Sequence, residues 1–188
     1  MRRVLLLALA AALVLGGCGN DDDGPEHDGV LTAAEVEPTG AAPEGVDGVV
    51  AYDIADNSHV QGAVDYRIEP PVAGPHNPVW ANCDFYSGAI PNENAVHSLE
   101  HGAVWITYTD AASESTLDTI QSIVAGDESR HILASEYPGQ DNPIVLTAWN
   151  RQLALDTIDD PRVAEFIDTN LLADTAPEPG AACSGGAG

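Results

Sequence analysis

The chain has 188 residues, and its 30 acidic residues outnumber its six Lys and Arg residues, so the formal net charge is −24. A surface this acidic repels polyanions, which argues against nucleic-acid binding and against attraction to anionic lipid headgroups. The acidity itself is more typical of solubility or of adaptation to high salt than of a binding surface.

The N-terminus carries the pattern of a bacterial lipoprotein signal. Arg2 and Arg3 precede an apolar run that ends in Leu-Gly-Gly-Cys at residues 15–18. The run is shorter than the ~20 apolar residues that span a membrane, and the order of basic, apolar and small residues is that of a secretory signal. We expect residues 1–17 to be removed and Cys18 to be lipidated, which would anchor the protein in the lipid bilayer at the extracytoplasmic face of the cell membrane. An ordinary signal peptide with an incidental cysteine is the alternative.

Composition divides the rest of the chain into a linker and a domain. Residues 18–48 are rich in Gly, Pro, Asp, Glu and Ala and have no sustained apolar period. Such a segment buries too little apolar surface to fold, so we expect an acidic disordered linker after the lipidated cysteine. We expect residues 49–188 to form one globular domain that is long enough for a single modest core. Its last residues form a loop-like tail.

The domain contains strand-like and helix-like stretches in irregular order. Stretches rich in Val, Ile, Trp and Tyr predict strands at residues 62–68, 103–109, 131–136 and 143–150. Helical spacing of apolar residues predicts a helix over 113–125, and Asp160-Pro161 predicts the start of another that runs through residue 170. Irregular alternation favours an α+β fold: a single compact domain with a small mixed or antiparallel sheet, about two helices and long ordered loops rich in Pro and Gly.

Four of the six histidines, His59, His76, His97 and His101, fall within 43 residues. His76 lies in a loop that contains four prolines between residues 70 and 78. Proline fixes φ and restricts the residue before it, so this loop presents His76 with little conformational freedom. That rigidity is typical of a preorganised site.

His97 and His101 are four residues apart, in the sequence HSLEHG. On a helical turn they would share a face and could bind one ion, whereas in a strand they would lie ~13 Å apart. A metal site therefore requires a tight turn over residues 98–102. We expect Glu100 to point elsewhere on that turn, where it could orient a histidine, accept a proton or cap the backbone. The motif is not the HExxH of zinc peptidases, because Glu100 directly precedes His101.

The cysteines predict a disulfide. With Cys18 attached to lipid, Cys83 and Cys183 remain as an even pair in an oxidising compartment. A bond between them would close a long loop and stabilise the fold by about 4 to 5 kcal/mol in the chain-entropy model. The alternative is that both thiolates bind a metal, although they lack CxxC-type spacing.

Several unusual motifs occur in one order along the chain, and together they resemble the DUF3105 family. The motifs are PPVAGPH at 70–76, WxxCxFY at 80–86, VHSLEHGAVWITY at 96–108, TAW at 147–149 and EPGxxC at 178–183. Members of this family are bacterial secreted or membrane-anchored proteins, often actinobacterial, named for an unknown function. The resemblance covers residues 58–183 and implies a single extracytoplasmic domain with the PPxxGPH and HSLEHG segments at its centre. It implies no particular reaction.

Imidazole donors without thiolate favour copper(II) first and zinc second as the bound ion. The function predicted is binding or delivery of that metal by the four histidines. In a metal-dependent enzyme acting on an extracellular small substrate, Glu100 would be the catalytic acid or base, and the sequence leaves open whether the protein is an enzyme. The other alternative is a non-metal structural or interaction module of the cell envelope, in which the histidines form a hydrogen-bond network and the tryptophans pack the core.

Overall fold

The fold is built on a six-stranded mixed sheet, in a computed structural model that describes residues 31–32, 38–41, 45–128 and 130–188. The strands are β1 (Leu31–Thr32), β2 (Gly40–Ala41), β3 (Val50–Ala51), β4 (Val64–Asp65), β5 (Val104–Tyr108), β6 (Ile132–Glu136), β7 (Ile144–Ala148) and β8 (Arg151–Leu155). The helices are α1 (Asn92–Glu100), α2 (Glu114–Gly126) and α3 (Arg162–Asn170). The main sheet has the order β2-β3-β8-β7-β5-β6, with β5 and β6 parallel and the other neighbours antiparallel, while β1 and β4 pair separately.

Strand β5 lies between β6 and β7, and all five of its residues are buried. Successive side chains of a strand point to opposite faces, so β5 contributes to two apolar clusters. Ile106 belongs to the same cluster as Ile120 of α2 and Phe166 of α3. Trp105 belongs to the other cluster, with Leu99 of α1. Helix α1 therefore packs on one face of the sheet, and α2 and α3 pack on the opposite face.

The α+β class predicted from the sequence is confirmed. The strands predicted at 103–109, 131–136 and 143–150 correspond to β5, β6 and β7, whereas the stretch 62–68 contains only the two residues of β4. Helix α2 begins after Ser113, whose hydroxyl accepts a hydrogen bond from the Thr116 amide at 3.2 Å. Helix α3 follows Pro161, close to its predicted start.

The turn expected over residues 98–102 is present as the end of a longer helix, which was not predicted. Helix α1 has nine residues, begins after Pro91 and ends at Glu100, with His101 as its C-cap. Gly102 follows with a φ of 88°, and a Cβ there would lie 3.0 Å from the Cα of Leu172, so this position requires glycine. The helix was not evident from the sequence because α1 buries polar residues as well as apolar ones, which weakens the apolar period that identifies helices.

The C-terminal tail returns to the domain next to α1. Cys83 and Cys183 form the predicted disulfide, with their Cα atoms 5.3 Å apart, so neither sulfur is a free thiolate for a metal. The amide of Glu178 donates to the Glu100 carbonyl, and the amide of Gly180 donates to the His101 carbonyl, each at 3.0 Å. The tail therefore covers the C-terminal end of α1.

The signal segment 1–17, Cys18 and most of the range 18–48 lie outside the described residues. The described parts of that range include β2, which pairs with β3, and Val46, which is buried in the cluster of Ile106. Within the part of the chain that the structure describes, no helix combines the length and apolar character needed to cross a membrane.

Candidate metal centre

Helix α1 carries one buried polar face. His97, Glu100 and His101 lie three and four residues apart, so they are neighbours on the helix surface, and each is at least 96% buried. The expectation that Glu100 points away from the histidines is therefore wrong, because a residue three positions after His97 shares its face. Val96 and Leu99 lie in the apolar cluster beneath the helix.

A backbone bridge brings the two upstream histidines to this face. The His76 amide donates to the Ser58 carbonyl at 3.0 Å, and the His76 carbonyl accepts from the Val60 amide at 2.8 Å, which sets His59 and His76 side by side. His76, in the proline-rich loop, is fully buried, while the side chain of His59 is 49% exposed. The bridge joins residues that are 17 positions apart in sequence, and His97 of α1 follows His76 by a further 21.

Three imidazoles converge on one carboxylate oxygen. The distances from Glu100 Oε2 to the Nε2 atoms are 3.1 Å for His76, 3.5 Å for His59 and 3.9 Å for His97. One ligand atom from each of these four residues lies within 4.8 Å of all the others. Ligands about 2.0 to 2.1 Å from one ion are ~2.9 Å apart at a right angle and ~3.4 Å apart in a tetrahedron, so the cluster has the dimensions of a single metal site.

Backbone carbonyls orient three of the rings. The Nδ1 atoms of His76, His97 and His101 lie 2.8, 2.6 and 2.6 Å from the carbonyl oxygens of residues 74, 77 and 182. A carbonyl only accepts, so each Nδ1 carries the hydrogen, and each neutral ring has a lone pair on Nε2. Hydrogen bonds of this kind hold the histidine ligands of metal ions in proteins.

Glu100 is oriented in the same manner by a side chain. Its Oε1 accepts a hydrogen bond from the Asn57 amide at 3.0 Å, which leaves Oε2 facing the imidazoles. Asn57 is therefore part of the site through Glu100.

His97 and His101 face each other at an Nε2–Nε2 distance of 3.0 Å. With the hydrogen of each ring on Nδ1, two lone pairs would meet at this distance, and the contact needs either an added proton or a metal ion. Burial is the main reason that the pKa of His97 lies below its usual value; the Asn77 carbonyl opposes this, and the neighbouring His101 and His76 lower the pKa further. An added proton on His97 is thus unfavourable at neutral pH.

His101 belongs to a second group with potential ligands. Its Nε2 lies 4.0 Å from Glu178 Oε2, and Glu100, His101 and Glu178 each offer a ligand atom within 4.8 Å of the others. The four histidines expected as one ligand set are therefore divided: three share a group with Glu100, and His101 lies beside them.

The tryptophans differ in their relation to the site. Trp105 and Trp149 are buried in the core as expected, although Trp149 also packs its edge against His76, with ring centroids 6.0 Å apart. Trp80 instead lies against the imidazoles of His97 and His101, with centroids 5.7 and 5.2 Å away. These rings limit the access of water to the buried side of the cluster.

Asn57 and Glu178 are not among the site residues expected from the sequence, and Glu100 was expected to point elsewhere. Only Glu100 had a signal, because its three-residue spacing from His97 is that of helix neighbours. Asn57 and Glu178 reach α1 from segments 43 and 78 residues away, and nothing local marks them. The Nε2 atom of His131 lies 2.9 Å from the Ala181 carbonyl, and His131 belongs to neither group.

In a comparison with protein families, residues 59–185 match the model described as "Protein of unknown function (DUF3105)". Neither the curated proteins nor the solved structures gave a match. The matched range contains His59, His76, His97, Glu100 and His101, while Asn57 lies just before it.

Proposed function

Because this chain belongs to the DUF3105 family, whose description assigns no function, we propose from the geometry of the site that the protein binds a divalent transition-metal ion. The ligands in this proposal are His59, His76, His97 and Glu100. Glu100 replaces His101 in the set expected from the sequence.

The convergence of buried imidazole lone pairs on Glu100 Oε2 carries this proposal. His76 and His97 are oriented by backbone carbonyls so that Nε2 faces the carboxylate, and Asn57 holds the other oxygen of Glu100. A purely structural network would place a donor opposite each acceptor. When both rings are neutral, the contact between His97 and His101 has an acceptor on both sides, and a network of neutral side chains leaves it unsatisfied.

The donor set favours copper(II) or zinc. Imidazole nitrogen suits copper, zinc, nickel and iron, and one carboxylate is compatible with these ions. Calcium and magnesium favour sites made of oxygen donors. Two of the three histidines are buried, so the affinity for metal depends on ligands that are already in position. The half-exposed His59 leaves one side of the site open for entry and release of the ion.

Binding or delivery at the cell envelope agrees best with these features. A lipid on Cys18 would hold the domain at the extracytoplasmic face of the membrane, where copper and zinc arrive from outside the cell. The acidic surface would raise the local concentration of cations near the half-exposed side of the site.

Metal content tests the proposal. The chain from residue 19 onward, which contains every described residue, is dialysed separately against zinc and copper(II) and then against a weak chelator. We expect retained metal in this chain and loss of the tightly held equivalent in His97→Ala and His59→Ala, because each change removes a ligand. His59→Ala is the cleaner variant, since a half-exposed side chain contributes little to folding.

His131→Ala is the matched control, because it removes a histidine outside both groups. Metal retained equally by all three variants and the unmodified chain would contradict the proposed site. Circular dichroism on the metal-free proteins separates the loss of a ligand from the loss of the fold.

A further inference from the structure

His101 is not a ligand in the proposed four-residue site. Its Nδ1 hydrogen is donated to the Ala182 carbonyl, so Nε2 offers a lone pair, and the side chain is only 4% exposed. Yet His101 is outside the group formed by His59, His76, His97 and Glu100. A buried, oriented lone pair of this kind needs a partner.

The atoms around His101 Nε2 are acceptors. His97 Nε2 lies 3.0 Å away and Glu178 Oε2 lies 4.0 Å away. Two lone pairs and a carboxylate oxygen repel one another unless a proton or a metal ion lies among them. The shape of the group therefore points to a positive charge at this position.

We propose a second divalent metal position formed by Glu100, His101 and Glu178, with the Glu100 carboxylate shared between the two positions. The proposal rests on the proposed function, since the shared carboxylate belongs to both ions. The result is a dinuclear centre, and in proteins the ions of such centres lie about 3.5 to 4 Å apart.

The tail holds Glu178 in place although its side chain is 62% exposed. The Glu178 amide donates to the Glu100 carbonyl, and the Gly180 amide donates to the His101 carbonyl. The same tail supplies the Ala182 carbonyl that orients His101. Three contacts between the tail and the end of α1 thus fix the backbone of Glu178 beside His101.

The two positions differ in donors and in access to solvent. The first has three imidazoles and one carboxylate, while the second has one imidazole and two carboxylates, with Glu178 at the surface. Three protein ligands leave room for water or an exogenous ligand on the second ion. We therefore expect the second ion to bind more weakly than the first and to exchange faster.

Counting zinc tests the inference. Native mass spectrometry and calorimetry on the chain from residue 19 should give two equivalents, and Glu178→Gln should give one, held as tightly as the first equivalent of the unmodified chain. The control is Glu165→Gln, which removes the same charge from an exposed glutamate on α3 and should keep two equivalents. Retention of the first equivalent shows that Glu178→Gln is folded.

The outcomes separate this inference from the proposed function. One equivalent in both the unmodified chain and Glu178→Gln overturns the second position and leaves the first intact. Loss of all zinc in Glu178→Gln also overturns it, because Glu178 would then belong to a single site. Loss of the second equivalent in Glu165→Gln would show binding to the acidic surface alone. No zinc in the unmodified chain overturns the second position, and if copper(II) is not retained either, the proposed function itself is overturned.

Discussion

The rings of His76, His97 and His101 are oriented by main-chain carbonyls, which no side-chain substitution removes. Glu100 is different, because its orientation depends on the side chain of Asn57. The site therefore has one orienting group that can be deleted without touching a ligand.

Replacing Asn57 with Ala should weaken metal binding and leave the fold intact. The substitution frees Oε1 of Glu100, so the carboxylate can rotate away from the imidazoles; loss of such an orienting group typically lowers metal affinity ~10- to 100-fold. Competition with a chelator of known affinity measures the change. Gln61→Ala, which removes an exposed amide just after His59, is the control. Equal affinities for both variants and the unmodified chain would show that Asn57 does not support the site.

The same residues explain what the sequence could reveal about the site. Histidine is rare in this chain, so four within a short span stand out, and the structure brings three of them into one group. Glutamate is common here, and nothing distinguishes Glu178 from the other acids until the tail is folded against α1. Roles that depend on contacts between distant segments are not encoded in local spacing.

At the scale of elements, the fold was predictable where burial follows a simple period. Strands β5, β6 and β7 are apolar runs, and α2 has a serine cap and apolar residues at helical spacing. Helix α1 was missed because its second face is buried by polar contacts of the site. Strand β8, in which Arg151 and Gln152 precede Leu153, was missed because its first half resembles a loop.

The start of α3 gives a test of pH dependence. The pKa of Asp160 is lowered from an ordinary value of 3.8 to about 2. The largest cause is the hydrogen bonds that the Arg162 side chain donates to this carboxylate. A carboxylate with a lowered pKa in the folded state stabilises the protein above about pH 4, and this contribution is lost as the pH falls towards 2.

Asp160→Asn should therefore flatten the acid side of the stability curve. Urea midpoints between pH 2 and 5 should fall less steeply for this variant than for the unmodified chain, and Asp159→Asn, one residue away, should retain the original slope. Identical slopes for Asp160→Asn and the unmodified chain would show that the ion pair with Arg162 contributes nothing to folding.

At the scale of the molecule, the disulfide joins the tail to the domain across 100 residues of sequence. Replacing Cys83 and Cys183 together by Ser should lower the free energy of unfolding by about 4 kcal/mol, since the unfolded chain gains the freedom of an open loop. Urea denaturation of the metal-free proteins measures this change. An unchanged midpoint would mean that other contacts alone hold the tail.

The net charge of −24 affects how every metal measurement is designed. Cations gather around an acidic surface without being coordinated, and salt screens that attraction over a Debye length of about 10 Å at 0.1 M. Equivalents that persist in high salt are therefore those held by directed ligands.

The tail is the last part of the domain to be synthesised. Ribosomes make a chain from its N-terminus, so His59, His76, His97 and Glu100 are all present before residues 178–183 have been synthesised. Until residues 178–183 have been made, His101 lacks both the Ala182 carbonyl and the Glu178 carboxylate. The second group and the disulfide beside it therefore depend on the end of the chain, whereas the first group does not.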